Sequence, residues 1–275
     1  MIISARSARI AIAGLLLLAL AVPVVAAAPG RSLSPSPVAP AAAPVAPVRA
    51  TVIQPAAIPV SPAPVLDLAA SAALPACRYA DVTTKYTSTA SWPLTLVDTI
   101  YRVSSSYVPP LTSVSRAGFG GGFSVRPEVI ADLSALRIAA AKAGGALGIV
   151  SAYRSYSTQV STFNYWVSVG GYSAALLSSA RAGHSEHQLG TAIDFNSAGG
   201  TAPWNLNDWA TTSAGAWMKA NAWKYGFVNS YPKGLSPSVT CYQYEPWHYR
   251  YVGRTEAAAI HASGLTPRAW LWAHQ

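Results

Sequence analysis

The stretch GHSEHQLGTAIDF, Gly183 to Phe195, holds two of the chain's five histidines, a glutamate and an aspartate. Only 11% of the residues are Asp, Glu, Lys or Arg, so this is a marked local concentration of titratable groups. A second group follows in EPWHYRYV, Glu245 to Val252, with a glutamate three residues before a histidine. Asp194 sits inside an apolar run, where a carboxylate is costly to bury unless a cation compensates it. Two histidines and one carboxylate form a catalytic zinc set that leaves a coordination place for water. His187, Asp194 and His248 can supply that set. Glu245 is then free to take a proton from the water. It does not lie on a HExxH helix, and Pro246 makes the backbone beside it extended or bent. A lone histidine is ordinarily structural, so spacing by itself leaves HSEH open to a reading as a capped turn.

These residues need elements to hold them. RPEVIADLSALRIAAAKAGG predicts a helix, with Pro127 in its first turn, apolar residues at helical spacing and Gly144 at its stop. ALGIVSAYRS predicts a buried strand. A helix over 156–168 and a short one near 172–181 follow, and then GTAIDF as a strand. Gly190 permits the turn between His187 and Asp194. SAGAWMKANAWKYG predicts a helix from Ala214, capped by Ser213 and ending at Gly226. FVNSY and WHYRYV predict strands, the second with period-two alternation. TEAAAIHASG predicts a helix capped by Thr255. Helices and strands do not alternate strictly, which predicts an α+β fold: one domain with a small, mainly antiparallel sheet flanked by helices.

The N-terminal region has a different character. Arg6 and Arg9, an apolar run from Ile10 to Val25 and then small residues have the layout of a secretory signal over 1–27, cut after Ala26 or Ala27. A retained membrane anchor is the alternative, although the run is short for a span and Pro23 interrupts it. Residues 29–75 hold eleven of the 21 prolines, few charges and no aromatic residue. This composition predicts a disordered Pro/Ala-rich linker over 28–75 and a folded domain over 76–275. The domain carries 15 basic and 9 acidic side chains, a net +6. No Lys/Arg cluster marks a nucleic-acid site, but a basic exported domain can favour anionic wall polymers. Export also places Cys77 and Cys241 where a disulfide can form.

SEHQLGTAID resembles the SxHxxGxAxD motif of the VanY-type D-alanyl-D-alanine carboxypeptidases, and EPWH resembles their ExxH motif. SAYRSYSTQ is similar to a further segment of that family. WMKANAWKYGFVNSYPKG, followed by YEPWHYRYVG, is similar to its C-terminal half. Cys241 departs from the small residue common before the last run, and 78–125, with GFGGGF, matches poorly. The resemblance implies a Hedgehog/DD-peptidase-like fold and one Zn²⁺ held by His187, Asp194 and His248. It further implies Glu245 as catalytic base and Arg154 as the cation on the developing oxyanion or the scissile carbonyl. Gln159 and Ser185 are implied as substrate contacts, with a turn cap as the alternative for Ser185. His184 lies outside the motif register, Trp247 is expected to pack against the sheet, and His261 and His274 receive no role.

The expectation is therefore a secreted or wall-associated monomeric zinc peptidase that removes the terminal D-alanine from peptidoglycan stem peptides ending in D-Ala-D-Ala. A dipeptidase or endopeptidase of the same fold, or a non-catalytic wall-binding module, are the competing readings. A structural zinc domain usually requires a fourth protein ligand, and a disulfide removes both cysteines from that role.

Overall fold

The computed structural model describes residues 73–275. The expected leader and nearly all of the expected linker lie outside the described residues. The elements run β1 (Val82–Thr83), β2 (Tyr101–Arg102), β3 (Thr112–Ser113), β4 (Ser124–Val125), α1 (Ile130–Lys142), β5 (Leu147–Ser151), α2 (Tyr156–Gly170) and α3 (Tyr172–Ser178). They continue as β6 (Ala192–Ser197), α4 (Ser213–Asn221), β7 (Phe227–Asn229), β8 (His248–Tyr251), α5 (Arg254–Ser263) and α6 (Pro267–Ala273). Short 3-10 turns join several of these. The one between Glu186 and Leu189 matters most.

β5, β6, β8 and β7 form a four-stranded sheet in that order, antiparallel throughout, as the fold reading required. Period-two alternation divides its two faces. Ile193, Phe195, Tyr249 and Tyr251 point into the main core, where they meet Leu133 and Leu136 of α1 and Met218 of α4. Each such fully buried leucine or isoleucine contributes about 1.5–3 kcal/mol by removal from water. Asp194, His248 and Arg250 fall on the opposite face, which is buried beneath the 92–95 segment and the 186–189 turn. Val228, Val252 and Ile260 pack with Trp270 and Leu271 of α6 in a second core. The domain is thus built so that one sheet face stabilises it and the other carries polar groups.

Two caps differ from expectation, and one helix is added. Thr212, not Ser213, caps α4, because its hydroxyl accepts the Gly215 N–H at 3.1 Å and Ser213 already lies within the helix. Thr255 lies inside α5, and Gly253, at φ +88°, precedes that helix without a side-chain cap. The C-terminal tail holds a further helix, α6, in which Pro267 occupies the first turn and Thr266 caps the Ala269 N–H at 3.2 Å. Two anchors tie the start of the domain to its end. Cys77 and Cys241 are disulfide-bonded across 164 residues. Arg268 donates to Asp98 Oδ2 at 2.7 Å and to the Pro75 carbonyl at 3.0 Å.

Candidate metal centre and active site

Ser185 opens the turn that delivers the first candidate ligand, His187. Its hydroxyl accepts the His187 N–H at 3.3 Å, the cap geometry of a 3-10 turn. Gly190 closes the turn at φ +73°. A β-carbon there would meet Pro109 Cγ at 3.0 Å, so both conformation and space favour glycine. The chain then enters β6 and presents Asp194. β8 pairs with β6 so that His248 lies directly opposite Asp194. His187, Asp194 and His248 each offer a ligand atom, all within 4.8 Å of one another, and all three side chains are buried.

The ring orientations suit a cation. His187 Nδ1 lies 2.6 Å from the Ala152 carbonyl, so Nδ1–H donates there and Nε2 faces Asp194 Oδ2 at 3.2 Å. His248 turns the other way, with Nδ1 2.9 Å from Asp194 Oδ1. Burial and the nearby Arg154 charge hold the His187 imidazole down to about 4, leaving it neutral and able to ligate. Burial alone would lower His248, but its hydrogen bonds to Asp194 and Glu186 outweigh this and raise it to about 10 in the metal-free site, so a cation bound there displaces the Nδ1 proton. Burial likewise opposes ionisation of Asp194, yet the adjacent histidines hold its carboxyl well below the usual range. Two imidazoles and one carboxylate, converging with few competing donors, fit a three-ligand zinc site with an open position.

Glu245 stands beside the set, with Oε2 3.9 Å from His248 Nδ1. Burial pushes its carboxyl up to about 7, against the pull of His248 and Arg154 and with the help of Asp194. That value suits a group that takes and returns a proton near neutrality. Asn229 secures its backbone by donating to the Glu245 carbonyl at 2.8 Å. Arg154 approaches from the end of β5, with Nη1 3.8 Å from Asp194 Oδ2. Nη1 donates to Ser151 Oγ at 2.7 Å, and Nε donates to Gln159 Oε1 at 2.9 Å.

The residues expected at the site divide into two groups. His187, Asp194, His248, Glu245 and Arg154 are brought together. Gln159 is 0% exposed and stands behind Arg154, with its amide nitrogen donating to the Ala180 carbonyl at 2.7 Å. Ser185 is 3% exposed and occupies the capping position. Trp247 packs against the main core as expected. His184 points away, with Nδ1 2.7 Å from the Asp98 carbonyl and Nε2 2.8 Å from Asp81. Glu186 is a residue that the motif pattern leaves without a role. It is 5% exposed, and its carboxylate meets His248 Nε2 at 2.9 Å, Ser230 Oγ at 2.6 Å and Arg250 Nη1 at 3.2 Å. The signal in the sequence is a glutamate adjoining a candidate ligand histidine in a chain with few acids.

The chain is similar to several known proteins. The family description "VanY: D-alanyl-D-alanine carboxypeptidase" matches residues 122–254. A solved structure of the LdcB LD-carboxypeptidase is 34% identical, with a TM-score of 0.56, over 66% of this chain and 87% of that one. The chain belongs to the VanY family of D-alanyl-D-alanine carboxypeptidases. A VanY structure, a mutant of the D,D-pentapeptidase from a VanB-type vancomycin resistance cassette with Zn(II), is 28% identical at a TM-score of 0.55. That match covers 66% of this chain and 99% of the other. YodJ of Bacillus subtilis, described as a carboxypeptidase, is 41% identical over 143 residues, 52% of this chain. The VanY-family chain spans about half of that relative, 51% of its length.

Proposed function

We propose that this domain is a zinc-dependent carboxypeptidase acting on peptidoglycan stem peptides, with the D-Ala-D-Ala terminus as its substrate. The observation that carries the reading is the convergence of His187, Asp194 and His248 with Glu245 and Arg154 beside them. When bound, Zn²⁺ supplies Lewis-acid polarisation of the scissile carbonyl and lowers the pKa of water to about 7. Glu245 takes a proton from the attacking water and returns it to the departing amine as the peptide C–N bond breaks. Arg154, clamped by Ser151 and Gln159, holds positive charge where the carbonyl oxygen becomes anionic. Its permanently charged, planar fork suits that position.

Removal of D-alanine after an L-residue is a second reading, favoured by the higher identity to LdcB than to the zinc-bound VanY structure. The N-terminal signal layout and the basic domain support an exported, wall-associated protein. The test is incubation of purified zinc-loaded protein with two stem peptides, a pentapeptide ending in D-Ala-D-Ala and a tetrapeptide ending in L-residue–D-Ala. Loss of one D-alanine from the pentapeptide is expected. Trimming of the tetrapeptide alone would move the assignment to the L,D class, and internal cleavage would replace it with an endopeptidase.

A further inference from the structure

The two candidate ligand histidines are held from behind by different acceptors. His187 donates from Nδ1 to a main-chain carbonyl, that of Ala152. His248 has its Nε2 2.9 Å from the Glu186 carboxylate. The two rings consequently present opposite nitrogens to Asp194. Glu186 and His187 are consecutive residues of one 3-10 turn, so a single turn supplies one ligand and the partner that orients another.

The surroundings of Glu186 are more elaborate than an ion pair requires. Arg250 is 0% exposed. Its Nη1 reaches Glu186 Oε1, while Nη2 reaches the carbonyls of Trp92, Pro93 and Thr95 at 3.2, 3.4 and 2.7 Å. Ser230 donates to Oε2, the same oxygen that meets His248. The carboxylate is thus fixed at both oxygens, and one of them is aimed at the imidazole. His248 and Arg250 share a face of β8, and the 92–95 segment closes over it. Residues 92–95 lie outside the stretch that matches the VanY description, yet they help seat Arg250.

We propose that Glu186 is a positioning residue of the metal centre. By accepting the Nε2–H of His248 it fixes that ring so that Nδ1 ligates the ion, and Ser230 and Arg250 hold Glu186 in place. The inference rests on the metal reading of the site given above. A carboxylate behind a ligand imidazole fixes ring orientation and strengthens the ligand, and losing such a partner typically costs about 10–100-fold in metal affinity.

The test uses the full chain and Zn²⁺ alone, with affinity from chelator competition and the His248 ligating nitrogen from ¹H–¹⁵N NMR of the zinc-loaded protein. The wild type is expected to show His248 ligated through Nδ1 with the proton on Nε2. Glu186→Ala is expected to bind zinc about 10–100-fold more weakly and to show a mixture of ring states. Glu186→Gln keeps an acceptor but loses the charge, so Nδ1 ligation should persist with affinity between the two. A folded Glu186→Ala protein with wild-type affinity and unchanged Nδ1 ligation overturns the proposal. If that variant does not fold, wild-type zinc affinity in Glu186→Gln overturns it equally. Neither measurement needs turnover. Protein that binds zinc through this arrangement but cleaves no peptide would sustain the inference and defeat the peptidase reading.

Discussion

Asp194 and His248 are direct cross-strand partners on the polar face of the sheet, with Asp194 Oδ1 2.9 Å from His248 Nδ1. The β6–β8 register therefore sets the site. A one-residue slip would turn either side chain toward the core, where Ile193, Phe195, Tyr249 and Tyr251 now pack. The same hydrophobic alternation that stabilises the sheet holds two candidate ligands in line.

Glu245 lies beside that pair without belonging to it. Glu245→Gln should retain zinc and lose about 10²–10⁴-fold in kcat, the usual contribution of a positioned acid–base group. Metal content and steady-state kinetics on one peptide check this together. Normal turnover would assign proton transfer to another residue.

Much of this arrangement was legible from residue types. The apolar run around Asp194 indicated a buried carboxylate that needs compensation, and WHYRYV alternates as an edge of the core must. The helix over Ile130–Lys142 followed from apolar spacing and Pro127. Other features depend on contacts that local pattern does not encode. Glu186 gains its partners from Ser230, His248 and Arg250, which lie 44, 62 and 64 residues away. Gln159 is implied as a substrate contact by the family resemblance, and its hydrogen bond from Arg154 Nε depends on the fold. The α6 helix escaped because PRAWLWA is too short for a helical period to emerge, although Thr266 and Pro267 form a start signal.

Arg154→Lys should be severe although it preserves charge. Lysine cannot engage Ser151 and Gln159 together as the guanidinium does. If Arg154 stabilises the developing oxyanion, the loss falls on kcat, with about 2.7–4 kcal/mol expected for such a donor. A raised KM with unchanged kcat would make it an anchor for bound substrate instead.

Stability should fall with acid through His184. Burial lowers its pKa from the ordinary 6.5, against the opposing pull of Asp81 and the Asp98 carbonyl. At His184 the folded state then binds fewer protons than the unfolded one, so this group's contribution to stability is full above about pH 6.5 and declines below it, by at most about 1.4 kcal/mol per pH unit. The depressed pKa of Asp81, hydrogen-bonded to His184, acts in the same direction at lower pH. Urea midpoints at pH 8 and 5.5 should differ less in His184→Asn than in the wild type. An equal drop in both proteins would place the acid sensitivity elsewhere.

The Cys77–Cys241 bond closes a span of 164 residues. Replacing both cysteines with serine should cost about 2–5 kcal/mol, the range found on removing native disulfides from small exported domains. Denaturant unfolding of the two proteins measures it. An unchanged midpoint would show that Arg268, through Asp98 and Pro75, suffices to hold the two ends together.

A single-metal peptidase centred on His187, Asp194 and His248 should depend on Zn²⁺ one for one, and hydrolysis of a D-Ala-D-Ala-ended pentapeptide by metal-stripped protein as Zn²⁺ is added back measures this. No turnover without metal, a linear rise and a plateau at one equivalent per chain are expected. Full activity in the stripped protein, or a plateau reached only at two equivalents, would contradict it.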